Sequence, residues 1–95
     1  MRVIYQGETI PIETAMVDTL NKPLDLSSAT CKFSLKYPDL TVIDIIPTVS
    51  LNVISVALAT DQTTQTGIYT YQFTVTLDGE IKKKIGVFKV ISAVK

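Results

Sequence analysis

The sequence contains no histidine and no tryptophan, holds a single cysteine, and balances nine basic residues against nine acidic ones. Without histidine, the commonest general base and the commonest nitrogen ligand of zinc are both missing, so Ser-His and Cys-His catalysis are excluded. One cysteine, Cys31, permits neither an intrachain disulfide nor a cysteine-only metal site. Zero net charge supplies no long-range field toward nucleic acid or an anionic membrane. Gly7, Gly67, Gly79 and Gly86 lie too far apart for a phosphate-binding loop, and no other cofactor motif is present.

A long apolar run is also lacking, although 46% of the residues are hydrophobic and mean hydropathy is +0.32. The most apolar stretch, Val42 to Ala59, is interrupted by Asp44, Pro47, Ser50, Asn52 and Ser55. A membrane-spanning helix needs about 20 mostly apolar residues, so this stretch reads as two strands. The first eight residues lack the apolar segment of a secretory signal. The expectation is a protein made and folded in the cytoplasm. Ninety-five residues fit one domain, residues 1–95, with a single core.

What the sequence does have is hydrophobic alternation close to period two. Ile10, Ile12, Thr14 and Met16 share one face of a half-buried strand, which Pro11 places at a sheet edge because it lacks an N–H. Asp18 to Pro23 is a turn, and Leu26 is expected to plug one end of the core. A second strand runs from Thr30 to Lys36 and stops at Tyr37-Pro38-Asp39. Thr41–Pro47 and Leu51–Leu58 follow as strands that are apolar on both faces in places.

From Ile68 onward, Tyr69, Tyr71, Phe73, Val75 and Leu77 alternate with Thr70, Gln72, Thr74 and Thr76. Asp78-Gly79 predicts a type I′ hairpin, and Glu80–Ile91 returns. Ile81 and Lys83 fall out of phase with Phe88 and Val90, which predicts a bulge near Ile85-Gly86. About seven short strands without a helical period argue for an all-β antiparallel sandwich. Its expected core is Ile10, Ile12, Leu26, Cys31, Phe33, Leu35, Val56, Tyr71, Phe73, Val75 and Phe88.

Chemistry-bearing groups are sparse. The carboxylate pairs Asp39 and Asp44, or Asp78 and Glu80, sit in or beside turns, where solvated carboxylates are ordinary. Asp18, Asn21 and Asp25 offer oxygen ligands around one turn, but their spacing matches no calcium loop. Lys82-Lys83-Lys84 lacks the exposed aromatics that accompany nucleic-acid binding, and lysines on an exposed strand discourage edge-to-edge pairing. For stacking on a sugar, only Tyr5 and Tyr37 lie outside the core pattern. These readings leave no catalytic, metal or cofactor site, and no small-molecule substrate.

Several motifs come in a set order: Gly7-Glu8-Thr9, Asn21-Lys22-Pro23-Leu24-Asp25-Leu26-Ser27-Ser28-Ala29, Lys32-Phe33-Ser34-Leu35 and Asn52-Val53-Ile54-Ser55-Val56. Thr66-Gly67-Ile68-Tyr69-Thr70-Tyr71-Gln72-Phe73, the Asp78-Gly79 hairpin and Gly86-Val87-Phe88-Lys89-Val90 complete it. This order resembles the N-terminal immunoglobulin-like domain of phage baseplate upper proteins. The resemblance implies an immunoglobulin-like sandwich in a virion tail baseplate, assembled in the bacterial host cytoplasm. The implied role is non-enzymatic, attaching a receptor-binding device through other tail or baseplate proteins, usually as a homo-oligomer. That family has a glycine before its middle strand; Asn52, which can take the same left-handed conformation, stands in its place. A cell-surface adhesion module and a carbohydrate-binding module are the alternative roles.

Val42, Ile43, Ile45 and Ile46 form the candidate assembly surface, because a half-buried strand needs apolar residues on only one face.

Overall fold

A computed structural model describes residues 1–18 and 20–92. Thr19, part of the expected Asp18–Pro23 turn, lies outside the described residues. Among the described residues eight strands form: β1 (Arg2–Tyr5), β2 (Ile10–Ala15), β3 (Thr30–Lys36), β4 (Val42–Ile45), β5 (Thr48–Ser50), β6 (Val53–Leu58), β7 (Gly67–Leu77) and β8 (Glu80–Ile91). A 3₁₀ turn, Thr60–Gln62, joins β6 to β7. One sheet has the order β1-β8-β7-β3-β4 and the other β2-β6-β5. All pairs are antiparallel except β1 with β8, which run parallel. The chain alternates between the two sheets in the Greek-key manner of an immunoglobulin-like sandwich.

Alternation decides which side chains enter the core. Phe33 and Leu35 of β3 lie opposite Phe73 and Tyr71 of β7, and Tyr69 lies opposite Phe88 of β8. The rings interlock: Phe33 meets Phe73 edge-on at 4.9 Å, and Tyr69 stacks on Phe88 at 4.8 Å. Ile10, Ile12, Ile54, Val56 and Leu58 close over them from the second sheet, while Leu26 seals one end. β2 is an edge strand, as Pro11 requires.

A tyrosine corner pins the turn into β7. The Tyr69 hydroxyl donates to the Gln65 carbonyl at 2.7 Å and accepts from the Gln65 N–H at 3.1 Å. The neighbouring crossover from β1 to β2 is tied to the same corner. Fully buried Thr63 donates its hydroxyl to the Glu8 carbonyl at 2.7 Å, and the Gly7 N–H donates to the Thr63 carbonyl at 3.1 Å.

Four expectations need correction. β1 and β5 were not legible as strands, having only four and three residues. The bulge near Ile85-Gly86 is absent, because β7 and β8 pair without interruption from Leu77↔Glu80 to Gly67↔Val90. Cys31 and Tyr71 are only partly buried, Cys31 near the end of the sandwich and Tyr71 beside an inter-sheet cleft. The left-handed residue before β6 is Leu51 (φ 53°), while Asn52 is tied to Met16 by accepting its N–H and donating its side-chain amide to its carbonyl.

Asp78 (φ 52°) and Gly79 (φ 80°) both take positive φ, as a type I′ turn demands. Gly86 is required for a different reason: the Tyr71 ring covers that position, and a β-carbon there would collide with the Tyr71 hydroxyl.

Candidate functional site

The candidate surface residues divide between the two faces of the five-stranded sheet. Ile43 and Ile45 pair in register with Leu35 and Phe33 and pack against the core. Val42 is 56% exposed and Ile46, just past β4, is 92% exposed. Val42 belongs to the outer face, the side turned away from the second sheet. Rows of paired residues cross this face: Val42, Lys36, Thr70 and Val87 in one, and Asp44, Ser34, Gln72 and Ile85 in the next.

These rows form a shallow depression of about 220 Å³ with a polar floor of Ser34, Thr70 and Gln72. Val42 bounds it on one side and Ile85, 68% exposed, on the other. Ile68, Ile81, Val87 and, on β1, Val3 extend the apolar character along the β8 side. Asp44 accepts a hydrogen bond from the Ser34 hydroxyl at 2.8 Å and pairs with Lys32 at 3.4 Å. Both partners of that ion pair are more than half exposed, so it adds little stability.

Sequence reasoning missed the β8 contribution. The signal was present in the phase mismatch of Ile81 and Ile85 with Phe88, which marks an apolar outer face and not a bulge.

The other chemistry-bearing residues serve local structure. Asp39 accepts from the Thr41 N–H at 2.9 Å and from the Gln65 side chain at 3.1 Å. The Thr41 hydrogen bonds hold its carboxyl below the ordinary value, and the Ser34 hydroxyl does the same for Asp44. Asp18 caps its turn through the N–H groups of Leu20 and Lys22, and Asp25 caps another through that of Ser27.

Burial raises the Cys31 thiol above its ordinary pKa, which lowers its thiolate fraction. Tyr37 is half-buried and meets Tyr69 edge-on at 5.3 Å, so its ring belongs to the core rim, whereas Tyr5 is half exposed at the end of β1. Among the described residues, no three carboxylates and thiols cluster, and no helix is long and apolar enough to cross a membrane. Comparison of the sequence with protein-family models and with curated proteins gives no match.

Proposed function

We propose that this domain is a non-enzymatic assembly module of a phage or prophage tail baseplate, where it helps attach the receptor-binding device. The observation that carries the assembly reading is the exposed apolar set on the outer face of the five-stranded sheet, with Val42 at one rim and Ile85 and Val87 at the other. A lone sandwich leaves that face in water, and exposed apolar patches mark contact surfaces. The baseplate placement is supported by the order of sequence motifs, from Gly7-Glu8-Thr9 through the Asp78-Gly79 hairpin to Val90. The partners are other tail or baseplate proteins and further copies of this chain.

The test is co-expression with the proteins of the neighbouring genes, followed by affinity purification. The wild-type chain is expected to bring down defined tail proteins, and Val42→Lys with Ile85→Lys should release them while the domain stays folded. Binding that survives both charge insertions would remove the outer face from the account.

A further inference from the structure

The β8 strand has an open edge. β1 pairs with it only from Phe88 to Ile91, so the stretch from Glu80 to Val87 has β7 on one side and, among the described residues, no strand on the other. Backbone groups of alternate residues point to opposite sides of a strand. The Ile91 carbonyl accepts from the Gln6 N–H on the β1 side at 2.8 Å. Counting back by twos, Ile81, Lys83 and Ile85 direct their N–H and C=O groups to the open edge, where they form a template for another strand.

The side chains along this edge carry a pattern. Ile81 (63% exposed), Ile85 and Val87 lie on the outer face, whereas Lys82 and Lys84 lie on the face shared with Phe73 and Val75. Lys82 reaches Glu80 at 3.9 Å, and among the described residues Lys83 and Lys84 have no carboxylate partner. Two β8 edges meeting antiparallel with their two-fold centred on any of these lysines would oppose lysine to lysine. Such like-charge pairing is destabilising, so the run works against a second copy and favours an acidic partner.

A cleft of about 420 Å³ opens beside this edge, between the two sheets and next to β1. Ile10, Ile12, Tyr71 and Phe88 line it, with Arg2 and Glu13 also contributing. The Tyr71 ring covers Gly86 and forms one wall of this cleft, which reaches the edge at Val87, so an incoming strand can send one apolar residue inward there.

We propose that the β8 edge from Ile81 to Val87 accepts an extended acidic segment of another protein as an added strand, with one of its apolar side chains seated in the inter-sheet cleft. Acidic residues face Lys82, Lys83 and Lys84, apolar residues meet Ile81, Ile85 and Val87, and main-chain hydrogen bonds join the two backbones. The proposal goes beyond the baseplate reading and does not depend on it.

The test pans the full chain against a displayed random nonapeptide library and titrates the selected peptide by NMR. Selected sequences should carry a short acidic run flanked by apolar residues, matching Lys82 to Lys84 between Ile81 and Ile85. Their binding should slow amide exchange at Ile81, Lys83 and Ile85 by roughly tenfold or more, while the β7-bonded amides of Lys82 and Lys84 are already protected. Lys83→Glu with Lys84→Glu should weaken binding about tenfold or more. Ile85→Pro removes an outward N–H, leaves the β7 ladder intact and should abolish binding; the lysine reversals serve if that variant fails to fold. Enrichment of basic sequences, no enrichment at all, binding without protection at the three edge amides, or binding indifferent to the lysine reversals would each overturn the proposal.

Discussion

Replacing Tyr69 by phenylalanine removes one oxygen and leaves a fully buried ring in place, still stacked on Phe88 at 4.8 Å. What is lost is the pair of hydrogen bonds to Gln65, at 2.7 and 3.1 Å. Each such bond contributes about 0.5–1.5 kcal/mol net, so Tyr69→Phe should destabilise the domain by about 1–3 kcal/mol. For a domain of this size each kcal/mol lowers Tm by about 4–8 °C. Urea unfolding at neutral pH gives the measurement, with the m-value unchanged because the core stays buried.

The effect should also show in the alkaline limb. Burial foremost raises the Tyr69 hydroxyl above its ordinary value of 10.0. Its contribution is therefore complete below that value and is lost as pH rises through the higher folded value. At neutral pH Tyr37→Phe keeps its edge contact with Tyr69 and serves as the control for the lost hydrogen bonds. A Tyr69→Phe loss below about 0.5 kcal/mol would refute the tyrosine corner as a stabilising device.

Phe73→Ala, at the centre of the aromatic cluster, should cost about 3–5 kcal/mol by denaturant titration, enough to leave a domain of this size largely unfolded. Gly86→Ala should displace the Tyr71 ring and destabilise by about 1–3 kcal/mol, and a double-mutant cycle should show that penalty shrinking once Tyr71→Ala has vacated the space. The depressed carboxyls of Asp25, Asp39 and Asp44 contribute stability present above the ordinary value of 3.8 and lost as pH falls through their lower folded values. Asp39→Asn should reduce the stability difference between neutral and acidic pH, read from urea midpoints. In size measurements with parallel denaturation, Ile43→Thr and Ile45→Thr should lower stability, whereas Val42→Thr should shift association with little loss of stability.

The long strands were legible because one face is buried, which enforces alternation. Thr30–Lys36 and Glu80–Ile91 match the observed strands end to end, and Gly67–Leu77 starts one residue before the expected Ile68. β1 and β5 were hidden for the opposite reason. Arg2–Tyr5 buries only Ile4, and Thr48–Ser50 buries only part of Val49, so neither offers a period to read. Both are held by pairing with distant strands, β1 with β8 and β5 with β6.

The outer face was legible in part at Val42 and Ile46. At Ile81, Ile85 and Val87 the apolar residues fall on the solvent side of a strand whose core side carries Lys82, Lys84 and Gly86. Pattern reasoning assigns the apolar phase to the core by default, so a reversed segment reads as a slipped register. The edge lysines show where the core stops: the second sheet does not cover β8 there, and their charged ends keep contact with water.

The most direct test of the assembly account is quantitative mass spectrometry of tail particles purified from the cells that encode this chain, with antibody labelling viewed by electron microscopy. As a baseplate component the chain should be present in intact particles at a fixed ratio to other tail proteins, with label confined to the baseplate end. Intact, infective particles that lack the chain would contradict it.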